Sequence, residues 1–167
     1  MSLESVRADL LRCGLDVPIL ETPQSTATVE LAAQAHGVEP GRIAKTLAFR
    51  LAGGEVVLLV ARGDARIDNR KFKDAFGKGR MLPPAEVGEI TGHPVGGVCP
   101  FGLARPLPVW LDVSLRAFDE VLPAAGSTHS AVRLTPQQLE QATAGRWTDV
   151  CALPPGADGP GAPGDAA

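Results

Sequence analysis

The chain has 167 residues, 44% of them hydrophobic, and a formal charge of −3: enough apolar material for one packed domain, and a net charge that excludes capture of long nucleic acid through the overall field. No apolar run reaches the length of a membrane span, and the N-terminus lacks a charged-then-apolar leader. Three cysteines, Cys13, Cys99 and Cys151, form no CxxC pair, which points to a reduced, cytoplasmic protein. From the run lengths and the charge, neither a membrane nor DNA is expected as a partner.

Residues 2–14 place Leu3, Val6, Leu10 and Cys13 on one helical face, with Ser2 as cap and Gly14 as terminator. VPILETP (17–23) reads as a short strand. TATVELAAQAHG (26–37) reads as a helix with Thr26 or Thr28 as its cap and Gly37 as its end. EPGRIAK (39–45) is a turn or short helix, and TLAFRL (46–51) alternates with Leu47, Phe49 and Leu51 on one face. Gly53-Gly54 signals a hairpin into the buried strand EVVLLVA (55–61).

DNRKFKDAFG (68–77) predicts a helix burying Phe72, Ala75 and Phe76, and PPAEVGEITG (83–92) another that opens on proline and closes on Gly92. LPVWLDV (107–113) and SAVRL (130–134) are strands. Thr135 and Gln138 form a capping box for a helix running to Gly145, and WTDVCAL (147–153) adds a last edge strand. The order of elements predicts a single α+β domain, residues 1–153, with a central mixed sheet and surrounding short helices. Residues 154–167, rich in proline and glycine, are expected to be a disordered tail.

Conventional reactive motifs are missing. His36, His93 and His129 form no HxxxH pair and the cysteines lack zinc spacing, so no metal is expected. There is no GxSxG elbow, phosphate loop or dinucleotide fingerprint, and no cofactor is expected. Arg62-Gly63-Asp64 reads as a polar turn after a strand. Cys99 is either a nucleophile or, with no base evident beside it, a small residue in a tight bend. Lys45 stands where the short helix hands over to a strand, either facing a site or simply solvated. GHPVGGVCPFG (92–102) packs four glycines and two prolines into eleven residues, which builds a rigid bend of bare backbone.

Three stretches taken together, STATVELAAQAHGVEPGRIAKTLAFR, ARGDARIDNRKFKDAFG and TGHPVGGVCPFGL, resemble the YbaK/EbsC family of aminoacyl-tRNA editing domains. That family includes the insertion domain of bacterial prolyl-tRNA synthetases and its free-standing relatives. The resemblance runs from the first helix to about WTDVCAL. It implies hydrolysis of the ester joining a wrong, small amino acid to the tRNA 3′ end, tRNA-Pro or a related tRNA, with the acceptor end and a synthetase as possible partners. The family's key lysine matches Lys45 in its KT dipeptide with Thr46, and the family's G-x-x-x-P loop matches Gly96 to Pro100. The terminal 2′-hydroxyl of the tRNA is the expected helper in activating water.

An aminoacyl ester is already activated, so it needs positioning and oxyanion donors more than a metal. On this reading Lys45, Gly96 and Gly97 are catalytic. The pocket is formed by Thr26, Thr28, Thr46, Val98, Cys99, Pro100, Gly126, Ser127 and His129. Some family members carry an acidic residue where this chain has Ala131, so a strict preference for polar side chains is not expected; Ser127, Ser130 or His129 would line the pocket instead. Arg42, Arg66, Lys71 and Lys73 are candidates for phosphate contact. The alternative is a module that binds charged tRNA ends or a synthetase without turnover.

Overall fold

The computed structural model describes residues 2–157, apart from the Ser2 side chain. The cap expected from Ser2 and residues 158–167 of the expected tail lie outside the described residues. Residues 154–157 form a turn in which the Ala157 N–H donates to the Pro154 carbonyl at 3.1 Å.

In chain order, helix α1 (Ser2–Arg12) leads to strand β1 (Ile19–Glu21), helix α2 (Val29–His36) and a 3-10 turn (Pro40–Arg42). The hairpin of β2 (Ile43–Leu51) and β3 (Val56–Arg62) follows, then β4 (Arg66–Ile67), α3 (Asn69–Phe76), β5 (Gly79–Met81) and α4 (Pro84–Thr91). The second half holds β6 (Val109–Asp112), a second 3-10 turn (Val113–Ala117), β7 (Leu122–Pro123), β8 (Ser130–Val132), α5 (Pro136–Thr143), β9 (Arg146–Thr148) and β10 (Cys151–Ala152). The main sheet runs β5-β2-β3-β6-β9, with β7 beside β2. It is mixed: β2 is antiparallel to β3 and β5, whereas β2–β7, β3–β6 and β6–β9 are parallel.

Hydrophobic patterning explains the layering. Every residue of β3 is buried, so the sheet is covered on both faces. On one face Phe49, Val57, Leu59 and Ala61 pack with Phe72, Val150 and Cys151; on the other Ala44, Ala48, Leu58 and Val60 join Val6, Leu10 and Leu139. Thr28, not Thr26, caps α2 through the Leu31 N–H, and the capping box of Thr135 and Gln138 is present. The sheet partners β4 and β5 are too short to show a period in the sequence, and WTDVCAL divides into β9, an edge of the main sheet, and β10, which pairs with β4. Two local expectations fail. Ala75 is exposed because the short α3 buries only the stripe through Phe72 and Phe76, and α5 ends at Ala144, which itself takes the left-handed φ of 52°.

Asp112 ties the last strands to the sheet. It is 1% exposed, and its two carboxylate oxygens accept from the Ser114 N–H at 2.9 Å and the Val150 N–H at 2.8 Å. Asp112→Ala leaves two buried donors without partners, each costing about 1–3 kcal/mol. Chemical denaturation is expected to show a loss of about 2–6 kcal/mol.

Candidate active site

Strand β2 is paired along one edge by β3, from Ala44 to Arg50. On its other edge it is paired only at the ends, by β7 at Ile43–Ala44 and by β5 at Phe49–Leu51. A cavity of about 290 Å³ opens between those two short partners. Its walls come from the lead into α2, the middle of β2, the start of α4, the loop at Val95–Val98, and the chain around β7 and β8. Six alanines (Ala27, Ala32, Ala44, Ala48, Ala124 and Ala131) keep those walls thin, and Lys45 is the one ionisable residue among them.

The Lys45 ammonium donates to the carbonyls of Gly63, at 3.3 Å, and Ala65. Burial pushes its pKa below the ordinary lysine value, partly opposed by the Cys151 thiol and by the Asp64 and Glu30 carboxylates. The turn that supplies the two carbonyls is itself locked. Arg62 is 4% exposed, and its Nε and Nη2 donate to Asp64 Oδ1 and Oδ2 at 2.6 and 2.9 Å, while its guanidinium lies 4.7 Å from the centroid of Phe118. A Cβ on Gly63 would sit 2.3 Å from the Pro40 carbonyl oxygen. Arg-Gly-Asp is thus a packed turn that anchors Lys45. The sequence signal was an arginine closing an otherwise apolar strand, which needs a carboxylate nearby to be buried.

The glycine loop has two faces. Gly96 takes φ +86°, borders the cavity and touches Ala27, where a Cβ would come within 2.8 Å. Gly97 lies outside the wall. Its N–H donates to the Pro94 carbonyl at 2.9 Å, and a Cβ there would sit 2.7 Å from the Ser127 carbonyl carbon. Val98 returns to the cavity. Among the described residues the N–H groups of Gly96 and Val98 have no partner. Cys99 and Pro100 are buried beneath the loop, not in the pocket. Cys99 Sγ lies 3.5 Å from His93 Nε2, and that nitrogen donates to the Phe101 carbonyl at 2.6 Å. Burial pushes the Cys99 thiol up to about 12, which removes it as a nucleophile near neutral pH.

Of the other expected pocket residues, Thr26, Thr28 and Thr46 reach the wall, and Ala131 does as well. The hydroxyls of Thr26 and Thr46 are buried without partners. Gly126, Ser127 and His129 do not border the cavity. Gly126 is buried in the bend, Ser127 Oγ pairs with Ser130 Oγ at 2.6 Å, and His129 is exposed beside Thr128. Of the alternates Ser127, Ser130 and His129, Ser130 alone lines the wall. The basic candidates are elsewhere too: Arg42 pairs with Asp119 at 2.7 Å, Lys71 pairs with Asp149 at 3.1 Å, and neither these two nor Arg66 and Lys73 border the cavity. Met81, Leu82, Val87 and Val95 were missed, because nothing local tells a helix or edge residue that it faces a pocket rather than a core.

The aminoacyl-tRNA editing domain family matches residues 23–142, a span containing both the lysine strand and the glycine loop. The chain belongs to this family. Among similar proteins is the uncharacterised YwhH of Bacillus subtilis, 52% identical over 90% of this chain and 98% of its own. A candidate Cys-tRNA(Pro)/Cys-tRNA(Cys) deacylase, EbsC of Enterococcus faecalis, is 27% identical over 74% of this chain and 76% of its own. A crystal structure of a candidate trans-editing enzyme for prolyl-tRNA synthetase superposes with a TM-score of 0.83 at 36% identity, covering 90% of this chain and 97% of that one. The fold is therefore that of the free-standing editing domains. Among the described residues no helix is long and apolar enough to cross a membrane.

The close approach of the loop to its neighbours sets an expectation for both glycines. Gly97→Val must displace the Ser127 backbone, so it is expected to lower the melting temperature by several degrees, and Gly96→Ala is expected to do the same through its positive φ and the contact with Ala27. Calorimetry of the two variants checks this.

Proposed function

We propose that this protein is a free-standing deacylase that hydrolyses the ester between a small amino acid and the 3′ end of tRNA. The observation that carries the reading is the convergence of Lys45, the only ionisable residue among the described wall residues, with Gly96 and Val98 on one alanine-walled cavity of about 290 Å³. That volume lies at the small end of ligand pockets, about 300 Å³ and upward. It suits an aminoacyl group lodged among small and apolar side chains.

The chemistry follows from what the wall contains. Water adds to the ester carbonyl, the carbonyl oxygen takes up negative charge, and collapse breaks the bond to the ribose oxygen. The products are a free amino acid and a tRNA 3′ hydroxyl, with the water's proton passing to the leaving oxygen. The unpartnered N–H groups of Gly96 and Val98 are suited to the developing oxyanion, and the Lys45 charge to orienting the ester or its neighbouring phosphate. With no carboxylate among the described wall residues, the terminal ribose hydroxyl of the substrate is the available group to activate water. The candidate activities of EbsC and of the superposed trans-editing structure support this class of substrate.

Two measurements test the reading. Initial rates on alanyl, seryl, cysteinyl, threonyl, prolyl and phenylalanyl esters of one tRNA are expected to favour the small groups over phenylalanyl by at least about 10-fold, since each methylene is worth about 1–3 kcal/mol. A phenylalanyl preference, or no hydrolysis of any ester, overturns it.

Lys45→Ala is expected to reduce deacylation by about 10²-fold or more with the fold retained. Because burial lowers the Lys45 pKa, the protonated form is lost earlier on the alkaline side. The enzymatic rate, corrected for spontaneous hydrolysis, is therefore expected to fall at a pH below the ordinary lysine value of 10.5.

A further inference from the structure

The registers of β2 leave one backbone pair over. In an antiparallel ladder the N–H and C=O of one residue point to the same edge, and successive residues alternate between edges. Leu51 faces β3, since its N–H donates to the Glu55 carbonyl at 2.8 Å. The opposite edge belongs to even-numbered residues. There the Ala48 carbonyl accepts from the Leu82 N–H, and the Ala52 N–H donates to the Lys78 carbonyl, each at 3.0 Å. Thr46 is even-numbered, and its register partner Val60 is therefore a non-hydrogen-bonded neighbour. Its N–H and C=O emerge from the edge beyond the reach of β7, whose pairing ends at Ala44, and before that of Leu82 at Ala48.

Neither group has a partner among the described residues. Thr46 borders the cavity and is partly exposed, yet its hydroxyl is sealed, so the exposure belongs to its other atoms. The cavity thus occupies the place of one missing strand residue. Its free edge presents one donor and one acceptor at the spacing of a β-ladder.

We propose that the substrate's aminoacyl group completes this edge as a one-residue strand: its α-ammonium donates to the Thr46 carbonyl and its ester carbonyl accepts from the Thr46 N–H. The proposal rests on the deacylase reading and names how that site reads its substrate. An α-aminoacyl ester carries a donor and an acceptor on either side of one carbon, the same set that a strand residue offers. Pairing of this kind is indifferent to the side chain, which is left to the alanine walls, but it requires a free amine. N-acylated esters lose the charge and add bulk where the Thr46 carbonyl stands. In the tetrahedral intermediate the Thr46 N–H becomes an oxyanion donor beside the glycine loop.

The test removes single backbone donors. Replacing the Thr46 amide by an ester linkage, with its side chain kept, is expected to lower kcat/KM on an alanyl acceptor-stem substrate by about 10- to 100-fold. The melting temperature should hardly move, because that N–H bonds to nothing in the protein. The same replacement at Leu47, whose N–H faces the β3 ladder, is expected to lower the melting temperature instead. On the substrate side, N-acetyl-alanyl ester is expected to react at least about 100-fold more slowly than alanyl ester. An unchanged kcat/KM in the Thr46 ester protein, or equal rates on the two substrates, overturns the proposal.

A binding measurement separates it from the reading beneath it. The amide-linked analogue 3′-alanylamino-3′-deoxyadenosine is expected to shift the Thr46 amide resonance, and its N-acetyl form is not. That pattern in a protein without turnover overturns only the deacylase reading; equal binding of both forms with no Thr46 shift overturns the strand-edge contact.

Discussion

An interior strand normally spends every backbone donor and acceptor on its two neighbours, and β2 does so on only one edge. Its second edge is bonded by short partners at the two ends, β7 and β5, because the chain returns to it from two unrelated parts of the sequence. What lies between them cannot be filled by the core without burying unpaired peptide groups. The cavity, the exposure of Lys45 and Thr46 within it, and the need for thin walls around it all follow from that interruption. A longer β7 or β5 would close the sheet and abolish the site.

Two further constraints keep the interrupted edge usable. Lys45 would collapse onto the nearest carboxylate or swing into solvent if nothing held it, and the Gly63–Ala65 carbonyls give it neutral partners. Those carbonyls are in turn fixed by a buried Arg62–Asp64 fork and by a glycine packed against Pro40 too tightly for any side chain. The opposite wall uses the same device: Gly96 presses on Ala27 and Gly97 on Ser127, so the loop is wedged between two neighbouring segments. Rigidity here comes from backbone touching backbone, which leaves little freedom to relax.

The electrostatics are correspondingly sparse. One partly desolvated lysine borders a wall otherwise made of apolar side chains, hydroxyls and peptide units, and desolvation makes its charge reach further than it would in water. An already activated ester needs no more than this: a held carbonyl, a positive charge and oriented N–H groups. Cys99 and His93, the pair most suggestive of covalent chemistry, are spent on locking the loop from beneath.

Much of this was written in local sequence. The hairpin through Gly53-Gly54, the Thr135 capping box and the α+β layering depend on contacts within a few residues, or on patterns that short-range physics imposes, and they could be read directly. Lys45 and the glycine loop, by contrast, stood out as a site only through resemblance to the editing family. Tertiary structure alone decided which side of each motif faces the pocket. Gly97 and Gly96 are adjacent and chemically identical, yet one spends its N–H in a turn against Ser127 while the other borders the cavity. Arg-Gly-Asp read only as a polar turn after a strand because its packing depends on Phe118 and Pro40, distant in sequence. The unpaired edge at Thr46 has no signature in the strand itself. It exists because β7 stops at one end and β5 begins at the other, and strand endings are set by long-range pairing that no local period encodes.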